Sequence, residues 1–445
     1  METVDGVVVV GGGSVGLLTA YKLGKAGIRV VVLEAGSGMD PAQQAVAFTP
    51  PAIAALDRLG LLDDVRQRAV LCPDVAYRHA DGREIARLSW DALAQDTCYP
   101  YLLLLGQRPM SNLIRERLRQ MPNVEIRWNH RVEDIEQDAS HVTLHTRGPG
   151  GRTRLRSPWV AATDGARSTV REKLGLKFEG RRWPEHMVAL DVFFDFSLHG
   201  FSRANFIHDP VDWAFVVQLE QSGLWRVFYE EDPLMSEAEL RQRLPERLQR
   251  LLPGVPTPDQ YRVDGIHPYR VRQRCASEFR RGRVVLAGDA AYTTNPMGGL
   301  GLSGGVLDAE QLADALITVF KDDTAVGVLD QFAVRRRNVF LESTASKATA
   351  YFTSMKESGP VQRARDLALL EKAGSDRALM RRILLDFDKL NGRRSRSITL
   401  WGKRITGTSK RFAHRTVRAT VKSVAGLMQS VGVVGQRWTR GVRLD

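Results

Sequence analysis

The sequence predicts an α/β fold in which a doubly wound parallel sheet is interleaved with an antiparallel-sheet domain and followed by a helical C-terminal region. Three observations predict it. Residues 1 to 36 read as apolar run, glycine loop, helix and apolar run (VVVV, GGGSVG, LLTAYKLGKAG, IRVVVLEAG), which is one βαβ unit. Segments 187 to 196, 213 to 219 and 224 to 230 are rich in aromatic and β-branched residues, as strands of a separate antiparallel sheet would be. The stretch RVVLAGDAAYTTNPMGGLGLSGG at 283 to 305 then returns to a buried strand, with a glycine-rich loop at the mouth of a helix.

At 445 residues the chain exceeds one ordinary core, which favours two intertwined domains plus an appendage. Its 43% hydrophobic and 26% charged residues are those of a soluble globular protein. No apolar run approaches the roughly 20 residues of a membrane span. Val7 to Val10 runs straight into glycines, which suits a buried strand and not a signal peptide. Cys72, Cys98 and Cys275 form no CxxC pair, so no disulfide framework and no metal site is expected, and a reducing cytoplasm fits. The net charge is +13, but residues 391 to 445 hold thirteen Lys/Arg against one acid, so the basicity belongs to a tail. No stacking platform accompanies that charge, and no nucleic-acid partner is expected.

The remaining elements follow in chain order. Residues 75 to 90 alternate and turn at Asp81-Gly82, a hairpin signal. Residues 111 to 120 read as a helix, and 124 to 128 and 141 to 146 as strands. A helix is expected over 305 to 319, and mostly helix from 331 onward. Residues 1–74, 98–181 and 267–345 are thus assigned to a discontinuous nucleotide-binding domain, 75–97 and 182–266 to the sheet domain, and 346–445 to the helical, basic region.

Gly11, Gly13 and Gly16, with Ser14 and Val15 between the last two, spell GxGxxG directly after a strand, the Rossmann-like arrangement. Gly11 permits the tight turn, Gly13 lets the backbone approach a diphosphate, and Gly16 allows close helix packing. The phosphates would lie on the helix N-terminus. Glu34 closes the second strand, where a carboxylate can accept hydrogen bonds from an adenosine ribose. An acid there suits FAD or NAD and disfavours a 2′-phosphate at this position. Gly299, Gly301 and Gly304 spell the same pattern, but ten residues separate them from the strand and no ribose acid follows. The alternative is that Asp289 accepts from a ribityl hydroxyl, while the helix after Gly301 aims its positive end at a flavin pyrimidine.

The fingerprint, ATDGARSTVR at 162 to 171, and RVVLAGDAAY with PMGGLGLSGG together resemble the single-component FAD aromatic hydroxylases, the family of p-hydroxybenzoate, phenol and hydroxyphenylpropionate hydroxylases. Their order and spacing agree over roughly residues 5 to 345. The resemblance implies that Gly11, Gly13, Ser14, Val15, Gly16 and Glu34 hold the ADP half of FAD. It places Gln107 near the phosphates or ribityl chain, Val132 at adenine, and Asp164 in support of both FAD and NAD(P)H function. Asp289, Pro296, Gly299, Gly301 and Leu302 would surround the ribityl chain and isoalloxazine. Two positions depart from many relatives: Tyr292 stands in place of histidine after GDAA, and Gln44 in place of an arginine.

With one dinucleotide fingerprint, NADPH or NADH would visit the flavin as a co-substrate. The implied cycle is hydride transfer to FAD, O₂ addition to give a C4a-hydroperoxide, and hydroxylation of a small phenol- or aniline-like ring. No catalytic base is assigned; Tyr229, His208, Tyr292 and Pro296 are the candidates. Trp213, Phe215, Trp225 and Tyr229 are candidate pocket residues, each of which reads equally well as sheet core. The basic tail, with an amphipathic stretch at 412 to 428, packs on the body or touches a membrane surface or acidic partner. Two other readings stay open: a membrane-associated hydroxylase or epoxidase of a lipophilic or quinone-type substrate, and a flavoprotein without oxygenase activity. Monomer and homodimer are both compatible with the sequence.

Overall fold

The computed structural model describes residues 1–38, 46–356 and 359–392. Gln44 and the basic tail from 393 onward, including the stretch 412 to 428, lie outside the described residues.

The first sheet has the strand order Arg280–Arg281, Val284–Leu286, Trp159–Ala162, Val7–Val10, Val30–Leu33 and Val124–Arg127, all parallel except the first pair. Residues of the four central strands are buried throughout. Helices cover both faces of such a sheet, so its strands read as unbroken apolar runs and not as alternation. The helices Ser14–Lys25 and Leu300–Lys321 pack against each other.

The second sheet runs Tyr292–Thr293, Arg262–Ala276, Phe178–Phe193, Leu224–Glu231, Ala214–Gln218, Ala204–His208, Asp74–His79 and Glu84–Ser89. Only the pairing of Ala204–His208 with Asp74–His79 is parallel. The hairpin read at Asp81-Gly82 forms its far edge. Alternation splits the sheet into two faces. Met187, Phe206, Trp213, Phe215 and Phe228 join the main core. Val188, Leu190, Val216, Trp225, Val227 and Tyr229 turn the other way, under helix Glu237–Leu251. That helix starts in a Ser236/Glu239 capping box and buries Leu240, Leu244, Leu248 and Leu251 along one stripe.

Several strands had no clear sequence signal, three of them being the following. Arg131–Gln137 and Gly151–Ser157 join Val142–Gly148 and Glu2–Thr3 in a small sheet. Their sequences, RVEDIEQ and GRTRLRS, are mostly exposed, so no apolar alternation marks them. Cross-strand ion pairs of Glu133 with Arg147 and Arg152 line the sheet instead. Ala204–His208 is the third. Phe178–Phe193 and Arg262–Ala276 pair from Phe178↔Ala276 to Phe193↔Arg262, with register shifts between Arg182 and His186 and between Asp191 and Val192. The helices Ala345–Lys356, Pro360–Ser375 and Arg377–Leu385 follow. No helix of the described residues is long and apolar enough to cross a membrane.

Candidate active site

Gly11 has φ +104°, and a Cβ added there would lie 2.4 Å from the Thr163 carbonyl oxygen. A Cβ on Gly16 would lie 2.0 Å from the Gly11 carbonyl oxygen. Both positions therefore need glycine for internal packing. Gly13 differs: a Cβ there meets nothing within 4 Å. It is the residue before helix Ser14–Lys25, whose N-terminus has no side-chain cap, so the first N–H groups of the helix face open space. That space is a cleft of ≈ 660 Å³, lined also by Glu34, Arg131, Val132, Asp164 and Arg167. The Glu34 carboxylate accepts the Gly12 and Gly36 N–H groups, each at 2.7 Å, which fixes it at the rim with lone pairs to spare. Asp164 accepts from Ser168 Oγ (2.5 Å) and the Val170 N–H (3.1 Å), while burial raises its pKa. The Ser14 and Ser111 hydroxyls meet at 2.8 Å, tying the first helix to Gln107–Leu118. Gln107, half-buried, stands in the first turn of the latter.

The second glycine stretch converges on the same helix start. Val15 packs where a Cβ on Gly288 or Gly305 would fall 2.8 or 2.7 Å from its Cγ2. Asp289 exposes its own surface yet sits among protein atoms; that burial, with the charge of Asp308, pushes its pKa up to about 6. Gly298 and Gly299 both have positive φ, +82° and +62°, and lead into helix Leu300–Lys321, again without a side-chain cap. A Cβ on Gly299 would lie 2.9 Å from that of Ala47. Beyond this loop lies a second, apolar cavity of ≈ 60 Å³, with Tyr77, Trp90, Phe206, Phe215, Tyr351 and Phe387 among its walls. Phe206 stacks on Phe215 and Tyr77 at ring-centre distances of 4.6 and 5.3 Å.

The glycine-lined cleft and the aromatic-walled cavity are separate spaces, one at the start of helix Ser14–Lys25 and the other at Gly298 and Gly299. The FAD binding domain family matches residues 5–345. The chain is 67% identical over 394 residues to para-nitrophenol 4-monooxygenase of Pseudomonas sp. (strain WBC-3), covering 88% of this chain and 98% of that protein. The chain belongs to the FAD-dependent aromatic monooxygenases. The crystal structure of p-nitrophenol 4-monooxygenase PnpA from Pseudomonas putida DLL-E4 agrees with a TM-score of 0.87 at 68% identity, covering 89% of this chain and all of that one. A complex of aklavinone-11 hydroxylase with FAD and aklavinone agrees at 0.70 and 26% identity, covering 80% and 70%. FAD is accordingly the cofactor, with NAD(P)H as co-substrate, and an aromatic compound and O₂ as the other reactants.

In this monooxygenase the residues expected at the cofactor lie at the cleft and around the second glycine loop. Gly11, Gly13, Glu34, Val132 and Asp164 line the cleft, and Ser14, Val15 and Gly16 open its helix. Pro296, Gly299 and Gly301 are half-buried around the second loop, and Leu302 is buried behind it. Several pocket expectations need correction. Trp225 and Tyr229 lie on the far face of the sheet, against helix Glu237–Leu251, and do not line the cavity. Trp213 is on the near face but fully buried, its ring edge-on to Phe352 at 5.8 Å. Phe215 alone of the four lines the cavity. Tyr292, a catalytic candidate from the sequence, is 2% exposed, its ring stacks on Phe340 at 4.4 Å, and its hydroxyl donates to Asp308 (2.7 Å). Asp308 also takes the Gly288 N–H and pairs with buried Arg336, so Tyr292 braces the Gly288 turn from behind. His208 stands beside Tyr77, ring centres 5.8 Å apart; burial, with His79 and Arg363, pushes its pKa down to about 4. The sequence reading missed Tyr77, Trp90, Phe206, Tyr351 and Phe387. Phe206 shares a strand face with His208, a signal that period two could have supplied. Tyr351 and Phe387 come from the C-terminal helices and carry no local mark.

Proposed function

We propose that this monooxygenase acts on 4-nitrophenol or a close para-substituted phenol, adding oxygen at the ring carbon that bears the para group. The observation that carries this is the 67% identity to a para-nitrophenol 4-monooxygenase over nearly that protein's whole length. The aromatic walls of the apolar cavity support it. Addition at C4 of 4-nitrophenol, with loss of the nitro group, consumes O₂, NAD(P)H and one proton and yields 1,4-benzoquinone, nitrous acid and water.

FAD, when bound, would supply the redox and oxygen-transfer chemistry. The residues of the chain bind, orient and exclude water. Gly11, Gly13, Ser14, Val15 and Gly16 present helix N–H groups to the diphosphate, and Glu34 accepts the ribose hydroxyls. Val132 would meet adenine, while Gln107, Asp164 and Asp289 would serve the diphosphate and ribityl chain. Pro296, Gly299, Gly301 and Leu302 border the flavin ring. Support comes from the open space at Gly13, which no internal contact explains. Tyr77, Phe206 and Phe215 hold the substrate ring and keep the cavity dry.

The test is 4-nitrophenol-dependent NADH and NADPH oxidation by the purified yellow protein, with nitrite assay and ¹⁸O₂ labelling of the trapped quinone. No nitrite, or no label, would reject the substrate assignment. For the basic segment after residue 392 the competing readings are packing on the body and contact with an anionic surface. Sedimentation with anionic vesicles, with and without that segment, separates them.

A further inference from the structure

The cavity walls are mostly apolar; besides the tyrosines Tyr77 and Tyr351, two residues that line it carry polar groups that the fold leaves unanswered. The Trp90 indole Nε1–H and the Thr49 hydroxyl are buried and have no hydrogen-bond partner. Their side chains are 2% and 1% exposed. A buried donor without a partner is costly, so such groups are retained where something else satisfies them. Local structure does not use either one. Thr49 precedes helix Pro50–Leu59, the position where a threonine ordinarily caps, yet its side chain makes no cap bond. Pro50 and Pro51 remove the first two N–H groups of that helix. Trp90 begins the turn after strand Glu84–Ser89, and its ring meets Phe387 edge-on at 5.3 Å.

The two groups belong to different walls. Thr49 follows strand Ala47–Phe48, and Ala47 is the residue against Gly299, so Thr49 shares its wall with the flavin-ring loop. Trp90 comes from the sheet domain and packs on the C-terminal segment. A para-substituted phenol has one acceptor at each end of its ring. An indole N–H can only donate, so it matches an oxygen that only accepts, which is a phenolate.

We propose that Trp90 and Thr49 are positioning residues for the substrate: Trp90 donates to the phenolate oxygen, and Thr49 donates to the para group on the flavin side. This rests on the substrate reading above. It makes Trp90 the determinant for the ring hydroxyl and Thr49 the determinant for an acceptor at C4.

The experiment measures dissociation constants of 4-nitrophenol, nitrobenzene and phenol for the FAD-loaded wild type, Trp90→Phe and Thr49→Val, with the absorption band of bound nitrophenolate. Wild type is expected to bind 4-nitrophenol at least about tenfold more tightly than either truncated ligand, the effect of one charge-assisted hydrogen bond. Trp90→Phe should weaken 4-nitrophenol by about tenfold, leave nitrobenzene unchanged, and raise the apparent pKa of bound nitrophenol. Thr49→Val should erase the preference for 4-nitrophenol over phenol. Unchanged selectivity in both variants, or losses in the opposite sense, overturns the proposal. If Trp90→Phe does not fold, equal affinities of wild type for 4-nitrophenol and nitrobenzene do so. A wild type that oxidises NAD(P)H with no response to 4-nitrophenol instead overturns the substrate reading.

Discussion

Replacing Gly13 by alanine separates a glycine kept for folding from one kept for a ligand. Gly13 has φ −73° and ψ 178°, a conformation alanine adopts freely, and its Cβ would meet no protein atom within 4 Å. The apoprotein should therefore tolerate Gly13→Ala, gaining about 0.4–1 kcal/mol from the stiffer unfolded chain. The added methyl instead occupies the space through which a diphosphate reaches the helix N-terminus. Forcing a methyl into a filled contact costs about 1–3 kcal/mol, a loss of roughly 5- to 150-fold in FAD affinity. Gly11→Ala is the contrasting control: with φ +104° and a carbonyl oxygen 2.4 Å from the new Cβ, it should destabilise the apoprotein itself. The assay is a melt of each apoprotein by calorimetry, followed by titration with FAD through quenching of flavin fluorescence. At 100 times the dissociation constant, FAD should add about 2.7 kcal/mol of stability. Wild-type FAD affinity in Gly13→Ala would refute the placement of the diphosphate on this helix.

Further outcomes follow from the same structure. Because the folded-state pKa of Asp289 is raised to about 6, its carboxyl favours folding only while protonated; stability present below pH 3.8 is lost as pH rises through 6. Apoprotein Asp289→Asn should thus melt higher than wild type at pH 7.5 and the same at pH 3.5, while binding FAD more weakly. Arg336→Met leaves Asp308 buried and unpaired, and should cost about 3–5 kcal/mol in denaturant unfolding. Tyr292→Phe removes only one hydrogen bond to Asp308, about 1 kcal/mol, and should leave the KM for substrate unchanged. Trp225→Ala should cost about 3–5 kcal/mol with FAD affinity kept, whereas Phe215→Ala should raise the KM for the aromatic substrate.

Much of the cofactor region was legible because its signals are local. A glycine that must turn at positive φ, a helix that begins without a cap, and a carboxylate at a strand end each appear within a few residues of chain. The substrate side was less legible. Trp213, Phe215, Trp225 and Tyr229 all sit in aromatic strands, yet only Phe215 reaches the cavity. The charged strands Arg131–Gln137 and Gly151–Ser157 were missed because cross-strand pairs of ions, and not a buried face, hold them.

The four-residue apolar runs next to glycines determined the parallel sheet from sequence alone, since only strands covered on both faces tolerate unbroken valines. Period two likewise determined that Trp225 and Tyr229 share a face. Which face looks inward was decided by helix Glu237–Leu251, which covers one side and leaves the other to the cavity. Tertiary structure alone brought Thr49, Trp90, Tyr351 and Phe387 to one space. Contacts between segments some 300 residues apart depend on how whole elements pack, and no short stretch of chain encodes them.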